Sequence, residues 1–221
     1  MDLLSEIRTG GILYILLLIA ITMHEYGHAI VADKLGDRFP RMDGRTTLNP
    51  IVHMDMLGTV ILPILTIALT MRSGFPMVFG WGKPVRIMLD NPATRKRVDF
   101  LSTLGGVSMN LVLAGVSAAL LAAFEIAKLP DFAEVAALSI YVNCVLFVIN
   151  MIPVPPLDGS VFLRRFTNIS EETLAAVSRW GIVILLVLLN VPLTSKIIMS
   201  AVGYLAALFF AGASLAISIF K

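Results

Sequence analysis

Cysteine, histidine and charge are scarce in this sequence. The single cysteine, Cys144, has no partner for a disulfide within the chain. A secreted scaffold stapled by bridges is therefore excluded. Charged residues make up 14% of the 221 positions, against about 25% in an ordinary soluble domain. The formal net charge is only +2, which makes no case for binding nucleic acid. What is present instead is apolar: 57% hydrophobic residues and a mean hydropathy of +0.89. A soluble domain of this size cannot hide that much apolar surface, and a disordered chain has the opposite composition. An integral membrane protein is the class that remains. Cys144 lies inside an apolar stretch and reads as a small buried hydrophobe.

A helix needs about 20 apolar residues to cross the hydrocarbon layer. Thr9–Ala32, Phe100–Phe124, Val135–Pro156, Leu174–Val191 and Ile197–Phe220 are the expected spans. The prolines Pro153, Pro155 and Pro156 should stop the third of them from being regular helix throughout. The first run is not expected to be a removable signal. Asp2 and Glu6 precede it, and His24, Glu25 and His28 stand where a signal would carry small residues and a cleavage site.

Met56–Met71 is too short to assign by length, with Asp55 and Arg72 on either side and Pro63 in its middle. Lys and Arg concentrate in cytoplasmic loops. If this piece enters and returns, five spans remain, and Arg8, Lys128 and Lys196 are the only bases on the minority side. That asymmetry favours the re-entrant reading, with the N-terminus outside and the C-terminus in the cytoplasm. Arg45–Ile51 and Val78–Met88 hold β-branched residues and turn formers and read as short strands or hairpins. The expected fold is thus an all-α polytopic membrane protein of about five transmembrane helices plus one short re-entrant or sixth helix. Small β-hairpin elements are expected near the cytoplasmic face. A single domain is expected over residues 1–221, with its core at 9–160 and additional C-terminal helices at 174–220.

His24-Glu25-Tyr26-Gly27-His28 is an H-E-x-x-H pattern that uses two of the three histidines. On a helix, residues i and i+4 share a face, so both imidazoles can reach one zinc ion, with Glu25 beside it to accept a proton from water. Ionisable groups inside a span are costly and point to function by default. Catalytic zinc takes three protein ligands and leaves one position open. Two residues compete for third ligand. Asp158 follows the third span, and in the five-span topology that span ends on the same side as the first. His53 lies closer in sequence, on the loop before Met56. The basic run Arg95-Lys96-Arg97 reads as an interfacial anchor, with specific binding of anionic lipid as the sharper alternative.

These motifs together resemble the site-2 protease family, the intramembrane zinc metalloproteases. The resemblance rests on His24-Glu25-x-x-His28 and on Asn150-x-x-Pro153-x-x-x-x-Asp158-Gly159. The stretch Gly105-Gly106-Val107-Ser108-Met109-Asn110 is similar to the family's glycine-to-asparagine element, with Gly106 where a proline often follows. Asn49-Pro50-Ile51-Val52-His53-Met54-Asp55 and Phe79-Gly80-Trp81-Gly82-Lys83-Pro84 look like the small prokaryotic branch without accessory domains. Ser160 departs from the pattern, since many relatives carry another glycine after the Asp-Gly pair.

The resemblance implies His24, His28 and Asp158 as ligands of one Zn2+ and Glu25 as general base. It also implies Asn150 as a residue that binds substrate or the developing oxyanion. The implied activity is hydrolysis of peptide bonds in the transmembrane segments of membrane proteins. The implied partners are such a substrate and the lipid bilayer, with no nucleic acid. The implied place is the cell membrane, multi-pass, with the active site towards the cytoplasm. Arg45–Ile51 or Val78–Met88 could hold an unwound substrate by strand addition. Two other classes compete. A non-catalytic zinc-binding adaptor or scaffold would not need Glu25, and a metal carrier would show more intramembrane ligands along a path.

Overall fold

The computed structural model describes residues 3–70, 78–167 and 169–220. Among the described residues, five helices are long and apolar enough to cross a membrane. The first is α1 (Leu3–Lys34). Two short helices follow it, α2 (Phe39–Met42) and α3 (Pro50–His53). A π-helical turn, Met56–Ile61, then runs into α4 (Leu62–Thr70). The remaining elements are α5 (Pro92–Ile126), α6 (Pro130–Asn150), α7 (Ser160–Phe166), α8 (Glu171–Asn190) and α9 (Pro192–Phe220). Long helices are what an apolar solvent demands, since every backbone N–H and C=O must be satisfied within the segment. The third span closes at Asn150, ahead of Pro153, so the proline-rich stretch is left as an irregular loop.

Helix starts are set by local chemistry. Asn91 caps α5 by accepting from the backbone of Ala93 and Thr94, and Pro92 supplies the first helical residue. Asp55 caps the π-helical turn in the same way, accepting from Leu57 and Gly58.

Helix α5 lies along both α1 and α6, and these three form the centre of the bundle. Leu13, Leu17, Ala20 and Ile21 of α1 bury themselves against Val142 and Leu146 of α6. Ala114, Ala118 and Ala122 of α5 meet Ile140 and Cys144 of α6 and Val202, Ala206 and Ala213 of α9. Small residues at these seams let the helix backbones approach closely, which is how helices associate where lipid removes the hydrophobic drive. The closest crossing joins α1 to α5, where a Cβ on Gly27 would lie 2.5 Å from the carbonyl oxygen of Gly105.

Helices α1 and α6 run in the same direction. Arg8, near the start of α1, pairs with Asp131 at the start of α6 at 2.9 Å. The C-terminal part of α1 and the loop after α6 therefore reach the same end of the bundle. At that end Arg164 of α7 pairs with Asp99 of α5 at 3.0 Å. The helix containing Met56–Thr70 is the short one; its 15 residues extend about 22 Å, less than the hydrocarbon thickness of about 30 Å. Met71, the last residue of the expected re-entrant piece, lies outside the described residues.

The expected β-hairpins are not there: no strand occurs among the described residues. Arg45–Ile51 is a bend leading into α3. Val78–Met88 is extended, but its backbone bonds go to scattered groups and to no neighbouring strand. Trp81 N donates to Gly58 O at 3.0 Å, and Thr59 Oγ1 donates to Trp81 O at 2.7 Å. Lys83 N donates to His53 O at 2.8 Å, and Met88 N to Asp37 Oδ2 at 2.7 Å. The β-branched residues do favour extended backbone. A hairpin also needs a second extended segment in register, and the chain supplies helices and turns there instead. The result is a single strap laid across the bundle.

Candidate metal centre

His24 and His28 sit one turn apart on the buried face of α1, with both rings pointing to the same spot. Their ring centroids are 4.7 Å apart, edge to face. The nearer of the two positions to the helix end, His28, is about 9 Å along the axis from Lys34. The centre thus lies within the depth of the bundle. Asp158 enters from the loop after α6. That loop is folded back by the Gly159 N–H, which donates to Asn150 O at 2.6 Å.

The three side chains converge. His24 Nε2 and His28 Nε2 are 3.0 Å apart, and Asp158 Oδ2 lies 3.0 Å from the first and 3.2 Å from the second. Among the described residues they form the one group of three potential metal-ligand side chains whose donor atoms cluster together. A zinc ion bound at about 2.0–2.1 Å to each ligand requires ligand atoms about 3.3 Å apart in a tetrahedral arrangement. The observed spacing and the two-nitrogen, one-oxygen donor set fit that ion.

Glu25 is 7% exposed, and its Oε2 has no hydrogen-bond partner among the described residues. The strap passes directly over it. A Cβ on Gly82 would lie 2.9 Å from both Glu25 Cγ and Oε1, so only glycine lets the backbone come this close. The strap is held down from the far side by Arg45, which is fully buried and donates to the carbonyls of Val52 and Lys83. Burial lowers the pKa of the Arg45 guanidinium from its ordinary value.

His53 is not part of the cluster. It is completely buried at the end of α3, and its Nε2 donates to Thr47 O at 2.8 Å. Burial pushes its imidazole below the usual histidine range and so favours the neutral form. Its carbonyl anchors the strap, which makes it a structural neighbour of the site. Asn150 is half-buried at the end of α6, and its side-chain amide has no protein hydrogen bond among the described residues.

Sequence reasoning named Asn110 as the end of the glycine-to-asparagine element but gave it no role, and it missed Asn143 and Arg45 around the centre. Asn110 of α5 is fully buried, and its Oδ1 lies 2.8 Å from His24 Nδ1. Asn143 of α6 stands behind it at 3.2 Å. Both are carboxamides in otherwise uncharged spans, which is the signal that could have singled them out. Arg45 carried no such mark, because a lone base in a polar loop looks like any solvated side chain.

Comparison with known proteins bears on the chemistry. A Bacillus subtilis protein named "Putative zinc metalloprotease YwhC" is 31% identical over 194 residues, covering 84% of this chain and 83% of its own. A Mycolicibacterium smegmatis protein named "Putative zinc metalloprotease Rip2" is 32% identical over 181 residues, 81% of this chain and 66% of its own. The Rip2 of Mycobacterium tuberculosis strain H37Rv, similarly named, is 31% identical over 179 residues, 79% of this chain and 65% of its own. No protein-family model and no solved structure matches the chain.

Proposed function

Since this chain belongs to the site-2 protease family of zinc metalloproteases, we propose that it hydrolyses peptide bonds within the transmembrane segments of other membrane proteins. The observation that carries the reading is a cluster of three potential ligands within a bundle of apolar helices, with a buried carboxylate oxygen beside it that has no partner among the described residues. In this reading His24, His28 and Asp158 hold one zinc ion and Glu25 is the general base. A zinc ion held there would supply Lewis acidity to the scissile carbonyl and to the attacking water.

The rest is done by the chain. Glu25 keeps Oε2 free of donors, which a base must do if it is to take a proton from the attacking water and return it to the leaving nitrogen. Asn150 has an amide uncommitted to other protein groups among the described residues, available to donate to the oxygen on which charge develops. The strap supports handling of an unwound peptide. In extended backbone, alternate residues present their N–H and C=O groups to opposite edges. Trp81 and Lys83 spend theirs on Gly58, Thr59, His53 and Arg45. Gly80 and Gly82 therefore offer the other edge to a substrate next to Glu25. The site opens towards the cytoplasm, the side on which every base but Arg8, Lys128 and Lys196 falls in a five-span arrangement.

The test compares membrane fractions from cells expressing the wild type or Glu25→Gln by mass spectrometry of newly created peptide ends. Ends inside apolar segments should appear with the wild type and fall by a factor of about 10²–10⁴ with Glu25→Gln. Zinc content should be equal in the two. Identical fragment patterns from both proteins would contradict the reading and leave a zinc-binding adaptor in its place.

A further inference from the structure

We propose that Asn110 and Asn143 form a relay that fixes the tautomer of His24, and so aims its Nε2 lone pair at the metal position. One group in this set of contacts has an unambiguous role. The backbone carbonyl of Ser139 can only accept, and Asn143 lies 2.9 Å from it. The Asn143 amide must therefore turn its NH2 towards Ser139, leaving its Oδ1 to face Asn110 at 3.2 Å. An oxygen there demands the NH2 of Asn110. A second backbone carbonyl, that of Ala20, lies 3.5 Å from the same Asn110 nitrogen and makes the same demand.

With its NH2 committed, Asn110 presents Oδ1 to His24 Nδ1 at 2.8 Å. An amide oxygen only accepts, so Nδ1 must carry the hydrogen. The neutral ring is then bare at Nε2, the atom that lies 3.0 Å from both His28 Nε2 and Asp158 Oδ2. Polarity passes from a backbone carbonyl in α6 through two side chains to a ring in α1. Asn110 is 0% and Asn143 2% exposed, so water does not compete for these groups. Partners of this kind orient a histidine ligand and raise its basicity, and their loss costs about 10–100-fold in metal affinity. Asn110 is thus a positioning residue, with Asn143 holding its amide the right way round. The inference rests on the reading that His24 is a metal ligand, although the hydrogen on Nδ1 does not itself require the metal.

The test uses the full chain purified in detergent, with two readouts. The first is nitrogen NMR of zinc-free protein labelled at histidine, at a pH where imidazole is neutral. The second is zinc affinity by competition with a chelator. In the wild type, His24 should be protonated at Nδ1, whatever the Asp158 carboxylate draws to Nε2 in the absence of metal. Asn110→Leu should give mixed tautomers and bind zinc about 10–100-fold more weakly. Asn110→Asp keeps the acceptor for His24 but faces the oxygens of Asn143 and Ala20 with a second oxygen. It should be less stable to heat yet retain the wild-type tautomer and near-wild-type zinc affinity. A merely structural role would make the two variants fail together.

A His24 ring bare at Nδ1 in the wild type would overturn the proposal even if no variant folds. So would a folded Asn110→Leu with wild-type tautomer and affinity. A wild type that binds no zinc would instead sink the ligand assignment, and the tautomer measurement would still decide the relay.

Discussion

At position 106 the crossing of α1 and α5 leaves no room for a methyl group: a Cβ there would come within 2.6 Å of His28 Cδ2 and Cε1. The histidine ring has no soft escape, since Asp158 and His24 stand on its other side and Ser102 ties the His28 carbonyl from below at 2.9 Å. Gly106→Ala must therefore displace the imidazole. Zinc affinity should fall tenfold or more, by about the amount seen when a ligand's supporting contacts are lost. Gly203→Ala serves as the control, because nothing lies within 4 Å of a Cβ at that site on α9. Chelator competition on the two variants checks this, with Gly203→Ala expected to match the wild type. The glycine pair at 105–106 was visible in the sequence as a motif. That its hydrogen atoms face an imidazole was not, because a glycine does not announce what it makes room for.

The element that depends most on its surroundings is the strap, Val78–Met88. It has no strand partner, and its position is set by Gly58, Thr59, His53, Arg45 and Asp37, drawn from four different parts of the chain. Gly82 is where it touches Glu25. Gly82→Ala would push backbone and carboxylate apart, and a misplacement of about 1 Å costs roughly 10²-fold in rate. Cleavage should fall by about that factor while zinc content stays at the wild-type level, which separates a displaced base from a lost ligand. Steady-state cleavage and metal analysis on the same preparation check both halves.

The strap also shows where local reading stopped. Valine and isoleucine marked the segment as extended, but whether an extended segment pairs with another is decided by what the rest of the chain puts beside it. The long helices were legible for the opposite reason: twenty uncharged residues leave a backbone in lipid no other choice. Asp158 was legible as a partner of His28 through the parity of five spans and through the resemblance of its motif, and the shared direction of α1 and α6 supplies the physical form of that parity. Arg45 was illegible because its role lies in polar contacts across elements, whereas Asn143 carried the mark of a carboxamide in an uncharged span but no spacing that named its partner.

At the scale of the whole molecule, the bundle brings the end of one span and the loop after another to a common point, with a third span running between them. Arg8 with Asp131 secures one end and Arg164 with Asp99 the other. In the proposed reading this arrangement serves to hold one metal ion with His24, His28 and Asp158. The direct measurement is metal content by mass spectrometry on the detergent-purified wild type, Asp158→Ala and His53→Ala. The account predicts about one zinc per chain in the wild type, loss in Asp158→Ala, and retention in His53→Ala, as expected of a four-coordinate site with three protein ligands. Zinc retained in Asp158→Ala, or absent from a well-folded wild type, would contradict it.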